Sequence, residues 1–284
     1  MDLSDGVAVV GCGRMGCAMA GELARRGCKV VMYDNTDFTR SRAKQVLQAT
    51  LSEHVSNGLL LAHEMHEILA RVGVAETLEA AVAHAVVVFE AVIDDLELKR
   101  DLFQQMGAAS ASASASAAVL TTNSINLDVL EISRGTTLTV WGCRFLHPVW
   151  FIDDVEVATG GRSTDAISPT LASLGFKVSY YKGERRRLSE VALERYYSEA
   201  RAAAASRRDA APAVVACTAV TQSKTAGDQG GAEPCAVCLD APRSALLVPC
   251  GHASTCMSCT RQLSPPLCVT CRQPIEKVLP WSPS

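Results

Sequence analysis

Between Cys235 and Cys271 the chain sets eight metal-binding side chains in one series: Cys235-x2-Cys238-x11-Cys250-x-His252-x3-Cys256-x2-Cys259-x8-Cys268-x2-Cys271. Cysteines two residues apart form tight knuckles, so both thiolates of a pair reach one ion at about 2.3 Å. Eight ligands fill two tetrahedral sets and leave no open position, which marks two Zn2+ ions as structural rather than catalytic. A segment of about 40 residues has too little core to hold itself together, so metal must supply much of its folding energy. Of twelve cysteines, seven fall in this window and five (Cys12, Cys17, Cys28, Cys143, Cys217) are scattered. In a reducing compartment such a cluster reads as metal rather than disulfide. The scattered five read as small buried residues.

Composition bounds the remainder. The chain has 284 residues, 48% hydrophobic and 20% charged, enough for one medium globular domain plus a small module. The net charge is -3 and the basic residues are dispersed, so neither nucleic acid nor an anionic membrane is expected as a partner. No apolar run reaches the ~18 residues that span a bilayer. Met1 to Asp5 is acidic and leads straight into a strand, unlike a signal peptide. The expected location is cytoplasmic, or nuclear.

Upstream of the cysteine cluster, apolar strand-like runs alternate with helical stretches, the pattern of βαβ units and a parallel sheet. Val7 to Val10 is a strand ending at Gly11, Ala18 to Arg26 a helix closed by Gly27, and Lys29 to Tyr33 the second strand. Residues 38 to 72 suggest one or two helices, and Ala85 to Val92 a further strand before a helix from Asp95 to Met106. Val119 to Thr122, Leu138 to Gly142 and Phe176 to Tyr181 complete the strands, while the repeat AASASASASAA at 108 to 118 is expected as a surface extension. Glu184 to Arg207 is a basic, alanine-rich helix candidate, and residues 208 to 232 read as a flexible linker. The expected organisation is an α/β parallel-sheet domain at 1–182, a basic helix and linker at 183–232, the zinc module at 233–274 and a tail at 275–284.

The zinc module resembles RING fingers, in the subtype with three residues between the histidine and the next cysteine, as in inhibitor-of-apoptosis ligases. The resemblance implies cross-bracing: Cys235, Cys238, Cys256 and Cys259 on one zinc, Cys250, His252, Cys268 and Cys271 on the other. It also implies a ubiquitin-conjugating enzyme and ubiquitin as partners. Val237 matches the apolar contact that docks the conjugating enzyme, with Leu263 beside it. Arg272 matches the linchpin arginine bridging that enzyme and its ubiquitin. Many active RINGs have proline between the last two cysteines, where this chain has Val269-Thr270. The segment Ile275 to Trp281 resembles the aromatic-bearing tail through which some such RINGs form homodimers.

In the first domain Gly11-x-Gly13-x-x-Gly16 follows a strand and opens a helix, and Asp34 ends the second strand 21 residues after Gly13. Strand, helix and acid together identify a Rossmann-type dinucleotide site. The glycines allow backbone to approach a pyrophosphate at a helix N-terminus. Asp34 suits ribose hydroxyls and repels a 2′-phosphate, so NAD(H) is the expected cofactor. Further along, FEAVIDDLELKRDLF, TTNSINLDVLEI and RFLHPVWFIDDVEV resemble the N-terminal domain of 3-hydroxyacyl-CoA dehydrogenases. That resemblance places Asp94 and Lys99 near the nicotinamide half of the cofactor and matches Asn123 to the asparagine of the family's Ser-Asn-Thr-Ser motif. It puts Ile125 where the family has its substrate-binding serine. Counting back from Glu156, it puts Arg144 where the family has its catalytic histidine. An arginine with a pKa above ~12 cannot serve as general base. His147 lies three residues on and lacks the matching glutamate. The family's helical substrate domain has no counterpart after Tyr181.

The sequence therefore favours a RING-type ubiquitin-protein ligase acting on a protein substrate it does not identify. Its nucleotide domain is expected to have lost dehydrogenase activity. An NAD-dependent dehydrogenase with a regulatory RING, and a non-catalytic zinc-dependent scaffold, are the competing readings.

Overall fold

The structure, a computed structural model, describes residues 6–113, 118–124, 126–162, 166–181, 187–210, 235–237, 241–263, 266–269 and 273–282. The chain divides into two compact units, Met1–Ala210 and Ala211–Ser284.

The first unit is a Rossmann-like sheet with helices on both faces. Its elements run β1 (Val7–Val10), α1 (Arg14–Arg25), β2 (Val30–Tyr33), α2 (Asp37–Ser56), α3 (Ala62–Ala70), β3 (Val72–Val74) and α4 (Leu78–Val82). They continue with β4 (Val87–Glu90), α5 (Leu96–Ala113), β5 (Val119–Thr122), α6 (Val129–Ile132), β6 (Val140–Phe145), β7 (Asp154–Ala158), α7 (Ser168–Ser173), β8 (Lys177–Tyr180) and α8 (Glu190–Ala210). The strand order is β3-β2-β1-β4-β5-β6-β7-β8, parallel throughout except at the antiparallel step from β6 to β7. Alternate side chains of β1 enter different cores, because successive residues of a strand point to opposite faces. Val7 and Val9 join α1, α2 and the β6–β7 loop, whereas Ala8 and Val10 join α4, α5 and α6. Strands covered on both faces are apolar along their whole length, which is why VAVV and VVFE carry no alternation.

Three expectations need adjustment. The Ala-Ser repeat is not a surface extension where it is described: α5 runs on through Ala113, and Ser110 is buried, its Oγ accepting from the Ala118 amide at 2.8 Å. Alanine is the best helix former and small side chains fit close against a sheet, so low complexity here marks packing. α1 begins at Arg14, directly off the glycine loop, rather than at Ala18. The basic helix starts at Glu190 and packs on the first unit, with Tyr196 buried and its hydroxyl bonded to Asp154, and Arg207 paired with Glu64 at 2.6 Å. Its arginines are otherwise a solvated face. The run Arg185-Arg186 and most of the expected linker lie outside the described residues.

The second unit holds β9 (Ala245–Val248), β10 (His252–Thr255), α9 (Met257–Arg261) and β11 (Lys277–Pro280), with sheet order β10-β9-β11. Among the described residues no helix is long and apolar enough to cross a membrane.

Candidate functional site

The glycine loop sits where the strand order turns back, between β1 and β4, the usual ligand crevice of an open α/β sheet. Each glycine has its own reason. Gly11 has φ +106°, and a Cβ there would lie 2.8 Å from the Ala91 carbonyl carbon. At Gly16 a Cβ would lie 1.7 Å from the Gly11 carbonyl oxygen, so α1 can leave the loop only without one. Gly13 differs: its backbone is extended, and a Cβ would meet nothing within 4 Å. The protein itself does not require glycine at that exposed position. A ligand backed against the loop does, and a pyrophosphate there fits the residues present. Asp34 closes the loop from β2, its Oδ2 accepting from the Cys12 amide at 2.9 Å and its Oδ1 from the Thr36 amide at 3.2 Å.

Behind the loop lies a polar network that tethers one strand end to the next. Glu90, at the end of β4, has no exposed surface and accepts from Lys99 Nζ at 2.5 Å, Thr122 Oγ1 at 2.6 Å and the Val92 amide at 2.6 Å. Burial pushes its carboxyl up, against the pull of Lys99. Lys99 is likewise fully buried, and its Nζ also donates to the Val92 carbonyl at 3.3 Å. Sequence matching placed Lys99 beside the cofactor; the structure places it under the crevice, its charge spent on Glu90. Glu90 itself was missed, although a lone acid closing the apolar run VVFE, nine residues before a lysine, was a readable signal. Asp94 is nearer the surface and accepts from Ser124 Oγ at 2.7 Å and from both nitrogens of Asn126 at 3.1 Å. Asn123 Oδ1 accepts from the Phe145 amide at 2.9 Å and so joins β5 to β6.

At the antiparallel step, β6 and β7 bring Arg144 opposite Glu156 in register. Arg144 Nη1 donates to Glu156 Oε2 at 2.5 Å, and both side chains are largely buried. Ile125 lies outside the described residues. His147 lies in the loop beyond β6; its imidazole is held below its usual pKa by burial and then by Arg14. Glu156 faces Arg144, not His147. Cys12, Cys17, Cys28 and Cys143 are buried free thiols, and Cys217 lies outside the described residues.

In the second unit six of the eight ligands are described, and they converge as two sets. The ligand atoms of Cys235, Cys256 and Cys259 lie within 4.8 Å of one another, and so do those of Cys250, His252 and Cys268. Cys238 and Cys271 lie outside the described residues. Amides tighten both knuckles, with Val237 N donating to Cys235 Sγ and Cys259 N to Cys256 Sγ, each at 3.4 Å. His252 Nδ1 is buried with no hydrogen-bond partner, as a nitrogen reserved for a metal would be. Burial raises the Cys256 thiol, so only a cation makes a thiolate favourable there. The donor set fits Zn2+. Val237 is 37% exposed and Leu263 half-buried, while Arg272 lies outside the described residues. The expected dimerisation tail is partly a strand: β11 pairs with β9, and the Trp281 amide donates to the Ser244 carbonyl at 2.9 Å.

Comparison with known proteins fits both sites. The family model described as 3-hydroxyacyl-CoA dehydrogenase, NAD binding domain, matches residues 6–182, and that of the C3HC4-type RING zinc finger matches 231–278. The 3-hydroxyadipyl-CoA dehydrogenase of Escherichia coli (strain K12) is 32% identical over 156 residues, 54% of this chain and 32% of that protein. Mitochondrial ubiquitin ligase activator of nfkb 1-A of Danio rerio is 42% identical over 53 residues, 19% of this chain and 16% of that protein. A crystal structure of Escherichia coli K12 3-hydroxybutyryl-CoA dehydrogenase superposes with a TM-score of 0.55 at 28% identity, over 62% of this chain and 37% of that one. This chain spans less than two thirds of each of these relatives. Zinc is the metal of the second unit and NAD(H) the cofactor of the first.

Proposed function

We propose, for a chain that belongs to the 3-hydroxyacyl-CoA dehydrogenase NAD-binding family over residues 6–182 and bears a C3HC4-type RING over 231–278, that the RING is its catalytic half. On this reading the protein is a RING-type ubiquitin-protein ligase. It docks a ubiquitin-charged conjugating enzyme on Val237 and Leu263 and holds the thioester open to a lysine of a protein substrate. The rate gain is one of positioning rather than covalent catalysis. Arg272 bridges enzyme and ubiquitin, a role that suits a planar guanidinium donating several hydrogen bonds at fixed angles. The observation that carries the reading is the closing of both metal sets by ligands while Val237, inside the first knuckle, stays at the surface. A homodimer through residues 275–284 and a cytoplasmic location belong to the same proposal.

The Rossmann unit, in turn, is a dinucleotide-binding module without dehydrogenase activity. Arg144 occupies the position of the family's general base and keeps its proton at any pH at which the protein is folded. Nothing there takes a proton from a hydroxyl, and hydride transfer to a nicotinamide needs that step. Glu156 is committed to Arg144, so His147 has no carboxylate to orient it. The module recruits the substrate or senses the cofactor.

Two assays on one preparation test this. With activating enzyme, ATP, ubiquitin and a panel of conjugating enzymes, the full-length zinc-loaded protein should build ubiquitin chains, and Arg272→Ala should not. The same sample should give no NADH from NAD and 3-hydroxybutyryl-CoA. NADH production without chains would reverse the assignment.

A further inference from the structure

A cleft of about 370 Å³ opens at Arg144 and Glu156, lined also by Leu127, Leu130, Ala158 and Tyr181. Its size lies within the range of small-molecule sites, roughly 300–1,000 Å³. The guanidinium of Arg144 is held on two sides: Nη1 by Glu156, and its flat face by the Tyr181 ring, 5.1 Å from centroid to Cζ. The Nε–H is buried and has no partner, although Arg144 is only 13% exposed. Buried polar groups are almost always satisfied, and a guanidinium N–H is satisfied only by an acceptor.

We propose that this cleft is a receptor for a small neutral carbonyl compound, a ketone or amide with a short apolar body, held by the Arg144 Nε–H and not turned over. Hydrogen-bond polarity selects the oxygen. A histidine at this position accepts a hydroxyl proton; Arg144 only donates, so the favoured ligand offers a lone pair and has no proton to place. Charge selects neutrality. Glu156 already compensates the guanidinium, and Asp128 adds a second carboxylate to the lining, leaving two acids against one base. A further anion would be repelled. Leu127, Leu130 and Ala158 supply the apolar wall. Binding here requires no RING activity, so this inference stands or falls apart from the ligase reading.

Ligand-observed saturation-transfer NMR on the full-length protein tests it with three probes of similar size: pentan-2-one, pentan-2-ol and butanoate. The ketone should bind tightest, the alcohol several-fold more weakly and the acid weakest. In Arg144→Met/Glu156→Gln, which strands no buried charge, ketone affinity should fall about tenfold with the melting temperature retained. Arg144→Lys, which keeps the charge but not the planar fork, provides a second reading should the double variant not fold, and should lose the same signal. The proposal is overturned if the ketone signal survives in the variant that folds, if butanoate binds best, or if none of the three shows transfer at millimolar concentration.

Discussion

The two units differ in what makes their cores. In the first, two hydrophobic clusters cover both faces of an eight-stranded sheet, and the residues that face a ligand sit at its edge. In the second, the buried residues are largely the metal ligands themselves: Cys235, Cys256 and Cys259 form one cluster, and Cys268 joins Ala245 and Leu247 in another. A sheet domain can exchange a catalytic histidine for Arg144 and remain folded, because the fold does not rest on that group. A zinc module cannot exchange a ligand so freely. An intact ligand set therefore reports a fold, while evidence for activity has to come from residues that carry no structural duty, such as Val237 and Arg272.

Chelation should separate the units most strongly. Structural zinc contributes about 10–16 kcal/mol in small modules, so phenanthroline should abolish the folded second unit while leaving the melting of the first unchanged. Hydrogen exchange read on peptides from each unit would show this. A common loss of protection in both would break the contrast.

Within the first unit the largest single effect should come from Lys99→Met, which strands a fully buried Glu90 and should cost about 3–5 kcal/mol by denaturant unfolding. Adding Glu90→Gln should recover most of that loss. The glycine loop gives a sharper test of fold against ligand. Gly16→Ala should destabilise the unit, because its Cβ meets the Gly11 carbonyl. Gly13→Ala should melt as the wild type yet bind NADH about tenfold more weakly, about 1.4 kcal/mol. Equal NADH affinity for Gly13→Ala and wild type would remove the reason given for that glycine.

Much of this was legible beforehand, and the gaps have physical causes. Zinc ligands and the glycine loop are local patterns whose spacing is fixed by the chemistry they serve, so Cys235 to Cys271 and Gly11 to Asp34 could be read directly. The pairing of Arg144 with Glu156 was reached by counting, because register in an antiparallel pair preserves sequence distance. What could not be read depended on partners distant in sequence. Lys99 looks like any helical lysine until β4 brings Glu90 over it. Ser110 looks like filler until Ala118 returns to it. β3 and β7 are short and contain Gly73 or the charged Asp154 and Glu156, so neither stood out as a strand. Tyr196 gave no sign that it would fix α8 to Asp154.

The smallest effect concerns pH. His54 is packed against Trp150 and Phe151, with ring centroids 5.0 and 5.1 Å away, and burial pushes its pKa from 6.5 down to about 4. The unfolded chain therefore binds a proton between these values that the folded chain does not. Stability of the first unit should be complete above pH 6.5 and decline as pH falls toward 4. The decline attributable to this residue should vanish in His54→Phe, read as the difference in melting temperature between pH 7 and pH 5.

The central claim, that catalysis resides in the RING and binding in the Rossmann unit, is tested most directly by single-turnover discharge. A conjugating enzyme preloaded with ubiquitin is mixed with free lysine and the full-length, zinc-loaded protein, and loss of the thioester is followed. The account expects discharge to be accelerated at least tenfold by the wild type, to return to the uncatalysed rate with Arg272→Ala, and to be unaffected by Gly13→Ala. Discharge no faster than the uncatalysed rate with every conjugating enzyme tried, in a sample holding its zinc, would contradict it.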